Sequence, residues 1–172
     1  RLAPEWGNLV RKASPHRGSW PRISVWHGNA DKTVIPPNAR EILKQWTELH
    51  GLPISPSAKT RVDGFPREVW LNERGDELIE SYTITNMAHG TPLAVGEAEG
   101  ACGAPGPFLL SVGISSSYHI AKFSGIAVAR PQAARNTPVE RNLPQISTSP
   151  RPYQDAEPAL DGEILDKDDD DV

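Results

Sequence analysis

The sequence predicts an α/β fold on three observations. A short β-rich run, residues 22–26, ends at His27-Gly28. An amphipathic helical segment follows it. A second β-rich run, residues 78–85, then delivers Met87-Ala88-His89-Gly90. Strand, helix and strand in alternation is the pattern of a layered α/β domain. The helix and both strands fall within residues 1–130, which read as the folded part. Residues 131–172 read as a disordered tail.

Near the start, Trp6, Leu9 and Val10 fit one or two turns of helix in a stretch interrupted by Pro4, Pro15 and Pro21. Residues 22–26 read as a buried strand running into a loop at 27–37 that holds Gly28, Asn29, Asp31, Pro36 and Pro37. The next segment carries Ala39, Ile42, Leu43, Trp46 and Leu49 at helical spacing. Asn38 is placed to cap it, with Glu41 completing a capping box, and Gly51 followed by Pro53 stops it. Residues 67–72 and 78–85 form a predicted hairpin around the turn Glu73-Arg74-Gly75-Asp76. Residues 96–107, rich in Gly, Ala and Pro, read as a loop. A last helix runs over 115–123, with Ile120 and Phe123 facing inward and Gly125 ending it.

After Arg130 come six prolines, polar residues and the run Asp168 to Asp171. Such a segment cannot bury enough apolar surface to fold. From Asp155 onward, nine carboxylates against Lys167 give −8, which leaves +4 on the rest of a chain whose net charge is −4. A weakly basic body with scattered charges gives no reason to expect nucleic acid as a partner. No apolar run reaches membrane-spanning length, so no membrane is expected either. There is no initiator Met and no signal peptide, and the abrupt start suggests a fragment or a processed product. Cys102 is the only cysteine. It reads as a free thiol or, in a secreted protein, as the partner of a cysteine upstream of Arg1.

Two features carry chemistry. Asp31 follows the first strand and His89 follows the second, so both sit at C-terminal strand ends, where open α/β sheets form their sites. A carboxylate bonded to imidazole Nδ1 fixes the tautomer and stabilises the imidazolium formed when Nε2 takes a proton. A nucleophile is missing from the pair. The run Gly113-Ile114-Ser115-Ser116-Ser117 approaches a nucleophile elbow but lacks its last glycine and follows His89. Ser115 therefore reads as a helix cap. His27 reads as structural, and a metal site from His27, Asp31 and His89 has no supporting ligand spacing. His16, His50 and His119 look incidental. Trp26, Trp46 and Trp70 read as core residues, with an acyl-pocket wall as the alternative for Trp26.

The run Trp20-Pro21-Arg22-Ile23-Ser24-Val25-Trp26-His27-Gly28-Asn29-Ala30-Asp31-Lys32-Thr33-Val34 resembles the acid-bearing strand and loop of the polyhydroxybutyrate depolymerase-type esterases. These are α/β-hydrolases grouped with feruloyl and acetylxylan esterases. Gln45-Trp46, His50-Gly51, Ile79-Glu80-Ser81-Tyr82, Met87-Ala88-His89-Gly90-Thr91-Pro92-Leu93, Pro107-Phe108-Leu109-Leu110 and Gly113-Ile114-Ser115-Ser116 with His119-Ile120-Ala121-Lys122-Phe123 extend the resemblance in order. It covers about residues 6–125. Ala88 stands where the family often has Gly, and the acidic tail is not part of the pattern.

The resemblance implies the C-terminal half of an α/β-hydrolase sheet, with residues 1–130 a partial catalytic domain. Asp31 matches the triad acid and His89 the triad histidine. Triad order in this fold is serine, acid, histidine, so the serine is expected upstream of Arg1. It further implies a secreted serine carboxylesterase that needs no cofactor. The substrate would be a short-chain polyester or a polysaccharide-linked ester. The rival reading is a truncated remnant, inactive or merely interacting.

Overall fold

A computed structural model describes residues 1–127. The tail expected to be disordered, 131–172, lies outside the described residues. Nine elements follow in order: α1 (Ala3–Ala13), β1 (Ile23–Gly28), α2 (Pro37–His50), β2 (Ala58–Val62), β3 (Phe65–Leu71), β4 (Glu77–Ile84), β5 (Thr91–Leu93), β6 (Leu109–Ser111) and α3 (Ser116–Phe123). Four strands form one mixed sheet in the order β1-β4-β3-β2, and β5 and β6 form a parallel pair. β1 runs parallel to β4, Ile23 opposite Ile79 and Gly28 opposite Ile84, so the two strands end side by side. β4 pairs antiparallel with β3 across the expected hairpin. Its turn is held by Asn72, whose Oδ1 accepts the amides of Arg74 and Asp76.

Alternation along the strands sorts the core into two clusters. On one sheet face Val25, Trp70 and Ile79 pack with Leu43 of α2, with Ala39 and Trp46 beside them. On the other, Tyr82, Ile84, Met87 and Ile114 pack with Trp26 and Leu110. Trp26 stacks on Tyr82 at 3.8 Å between ring centroids and packs on this cluster while staying only partly buried. Burial pushes the Tyr82 hydroxyl up to about 12. Glu80, 1% exposed, is also in this layer. It accepts from Ser24 at 2.7 Å and from Arg67 Nε at 2.9 Å, and so meets the demand that a buried charge be paired.

Several expectations are corrected. α1 spans three turns, because Pro4 lies in its first turn, where a missing N–H costs nothing. α2 begins at Pro37 after Pro36, and no side chain caps it, so Asn38 is not a cap. The fixed φ of proline starts the helix in its place. Glu41 turns to α1 instead of closing a capping box. It accepts from Lys44 and from Trp6 Nε1, which hold its carboxyl down at about 2. Glu41, Gln45 and Glu48 all bond α1, so α2 carries a polar face toward α1 and an apolar face toward the sheet. Ile42 lies off that apolar stripe and is 42% exposed. Gly51 ends α2 in the left-handed region, as expected. In α3, Ser115 accepts from the Tyr118 amide and is the cap, and Phe123 is buried. Ile120, however, is exposed at the surface. β2, β5 and β6 are strands that the sequence pattern does not predict.

Candidate functional site

The parallel pairing of β1 and β4 brings two loops together at the C-terminal edge of the sheet. The loops are joined by backbone: Asn29 N donates to Ile84 O and Ala30 N to Met87 O, both at 3.1 Å. Asn29 Oδ1 adds a third link, accepting from the Asn86 amide at 2.7 Å. Gly28 is required at this junction, since a Cβ there would lie 2.2 Å from Met87 O. The approach of the loops is therefore fixed by main chain.

On this frame Asp31 Oδ2 and His89 Nδ1 lie 2.9 Å apart. Asp31 is buried and its other oxygen, Oδ1, accepts the amides of Thr33 and Val34 at 2.9 Å each. Burial by itself would raise the Asp31 carboxyl; the bonds from His89, Val34 and Thr33 outweigh it and hold the group below its ordinary value. A carboxylate that only accepts, set against Nδ1, selects the tautomer with the proton on Nδ1. That leaves Nε2 with a lone pair. The His89 side chain is 42% exposed, so the ring can meet a reactant from solvent. Such a pair can accept a proton at Nε2, bear the resulting positive charge and return the proton.

The other residues singled out in the sequence fall elsewhere. His27 sits on the α2 side of β1, beside a cleft of about 760 Å³ between α2 and the sheet, and its Nε2 is buried without a hydrogen-bond partner. It makes no bond to Asp31 or His89. His16 and His50 bond backbone carbonyls of Ser19 and Pro21. His119 bonds Asp63 at 3.0 Å and adjoins Trp26 and Tyr82. Cys102 is exposed, its Sγ 2.9 Å from Ser115 Oγ. Among the described residues, no three His, Cys, Asp or Glu side chains are grouped to hold a metal, and no helix is long and apolar enough to cross a membrane.

One neighbour of His89 is not predicted from the sequence. Phe108 meets its ring at 5.8 Å between centroids and 71° between planes. It comes from the turn before β6, and its φ of +59° is not legible in a Pro-Phe-Leu-Leu run.

No family model matches the chain. The chain is similar to the poly(3-hydroxyalkanoate) depolymerase C of Paucimonas lemoignei, with 43% identity over 122 residues, 70% of this chain and 30% of that protein. It is 36% identical over 94 residues to an acetylxylan esterase of Coprinopsis cinerea, covering 54% of this chain and 25% of that one. A feruloyl esterase B of Neurospora crassa is 40% identical over 92 residues, 51% of this chain and 30% of its own length. The chain thus spans less than a third of each of these relatives. Among solved structures, the acetyl xylan esterase from Aspergillus awamori aligns with a TM-score of 0.52 at 20% identity, covering 74% of this chain and 38% of that one, which shows the shared α/β fold.

Proposed function

We propose that this chain, a relative of the polyhydroxybutyrate depolymerase-type esterases, supplies the acid and the base of a serine carboxylesterase of α/β-hydrolase fold. In this reading the chain is the C-terminal half of the hydrolase sheet. The observation that carries it is the bond of 2.9 Å between Asp31 Oδ2 and His89 Nδ1 at the ends of two neighbouring parallel strands. His89 Nε2 takes the proton of a serine as it attacks the ester carbonyl, and returns it to the departing alcohol. Water then takes the place of the alcohol and frees the acid by the same route. Asp31 orients His89 and stabilises its charged form. The serine and the amides that hold the oxyanion belong to a segment upstream of Arg1, since the serine precedes the acid in this fold. The substrate is a short-chain hydroxyalkanoate ester, as the name of the Paucimonas relative suggests, with polysaccharide-linked acetyl or feruloyl esters as the rival class. The enzyme is secreted.

Hydrolysis of p-nitrophenyl butyrate tests the reading in the full-length protein. Turnover should be blocked by a serine-directed inhibitor and lost in His89→Ala, while the 172-residue chain alone should be inactive. Undiminished hydrolysis by folded His89→Ala protein would refute it.

A further inference from the structure

Phe108 combines three properties that do not usually coincide. It is a large apolar side chain left 66% exposed. Its backbone is in the left-handed region at φ +59°, which bulky residues avoid. And its ring lies against His89. Strain of this kind persists only where the surroundings enforce it. Here the loop just past His89 enforces it. Thr91 N donates to Phe108 O at 2.7 Å, and Gly90 leaves the space that this carbonyl fills, for a Cβ there would approach it to 2.8 Å. On the other side, Gly106 and Leu109 exchange backbone hydrogen bonds at 3.1 and 2.9 Å, which closes the turn around Phe108. The parallel pair of β5 and β6 sets Thr91 opposite Leu109. The exposed ring is thus delivered to the imidazole by a built arrangement.

Its place decides what it would touch. Nδ1 of His89 is occupied by Asp31, so proton exchange with substrate falls to Nε2. During acylation the bond from serine oxygen to the acyl carbon forms and the bond from that carbon to the alcohol oxygen breaks. The proton held on Nε2 passes to the leaving oxygen. The alcohol half of the ester therefore departs beside the imidazole, and the Phe108 ring lies 5.8 Å from that imidazole between centroids. We infer that Phe108 is a specificity-determining residue for the alcohol side of the ester, its ring forming an apolar wall for the leaving group. This rests on the esterase reading above and goes further, since it assigns one side of the substrate to one side chain.

Two ester series in the full-length protein test it. One keeps a butyryl acyl group and changes the alcohol from methyl to benzyl. The other keeps methanol and lengthens the acyl chain from acetyl to hexanoyl. Phe108→Gly suits the positive φ and removes the ring; Phe108→Leu restores apolar bulk. The Gly variant should lower kcat/KM for benzyl butyrate relative to methyl butyrate by about tenfold, the scale of discrimination an apolar pocket supplies. Preference along the acyl series should be unchanged, and the Leu variant should recover most of the loss. A uniform fall on every ester, or a change confined to the acyl series, would overturn the inference while leaving the esterase reading intact. Absence of turnover in the unsubstituted protein would overturn both.

Discussion

Replacing Asp31 by Asn keeps the outline of the side chain and changes which of its atoms donate. The structure fixes the orientation of the new amide. Oδ1 receives two backbone N–H groups, from Thr33 and Val34, at 2.9 Å each. The amide oxygen must stay there, because the flipped group would set its NH2 against both donors. The amide nitrogen is then left at the Oδ2 position, 2.9 Å from His89 Nδ1. An NH2 can only donate, so Nδ1 must accept and the ring proton moves to Nε2. That tautomer already holds its proton on Nε2 and cannot take another there. In serine proteases the equivalent change lowers kcat by about ten-thousandfold, and a loss on the order of that size is expected here. The assay is kcat for p-nitrophenyl butyrate in the full-length protein, with 15N NMR of the imidazole to read the tautomer. A nearly unchanged kcat, or a ring still protonated at Nδ1 in the Asn variant, would refute the reasoning.

Gly28→Ala should cost most of the activity, because its Cβ would lie 2.2 Å from Met87 O and must drive the His89 loop away from Asp31; kcat and a crystal structure of the variant check this. Arg67→Met should destabilise the protein by about 3–5 kcal/mol, since it leaves the Glu80 carboxylate buried without its cation; urea unfolding at neutral pH measures it. Because the Asp31 pKa is depressed on folding, its contribution to stability is complete above its ordinary value of 3.8 and is lost as pH falls through the lower folded value. Unfolding midpoints of the protein and of Asp31→Asn should therefore converge only in strong acid; convergence at mildly acidic pH would contradict the depressed carboxyl. His27→Asn should change stability and leave kcat near normal, since His27 bonds neither Asp31 nor His89.

The parts of the fold legible in the sequence were those with a strong local period. The α2 stripe of Ala39, Leu43 and Trp46, the Glu73–Asp76 turn and the Ser115 cap needed only neighbours in sequence. Elsewhere backbone geometry or distant contacts override the local pattern. Pro36 and Pro37 started α2 through fixed backbone geometry, which overrode the capping pattern at Asn38. Ile42 and Ile120 matched helical spacing, yet each is at the surface. β2, with Lys59, Thr60 and Arg61 exposed, has too little apolar alternation to announce a strand; it is recruited by pairing with β3. β5 and β6 are three residues each, below the length at which a pattern can be seen. Asp31 and His89 could be singled out by placement after strands, but their bond depends on the parallel register of β1 with β4, a contact between distant residues. Phe108 escaped for the same reason, compounded by a backbone conformation that its residue type conceals.

Among the described residues, β1 borders the four-stranded sheet and pairs on one side only. Ser24, Trp26 and Gly28 turn their amides and carbonyls to the free side over roughly 20 Å, and of these Gly28 O already accepts the Asp31 amide. That row is a template. A strand laid parallel to it would sit about 4.8 Å away, and its last residue would stop level with Gly28, next to the Asp31 loop. Whatever side chain such a strand carries at its tip is thereby addressed to the bonded Asp31 and His89 by ladder geometry alone. The same row accepts any extended chain, including another copy of this one. Association of copies through this edge is expected to rise with concentration. Preparations of the chain by itself are accordingly expected to associate through β1, and a charged substitution at its outward-facing margin is the way to keep them apart.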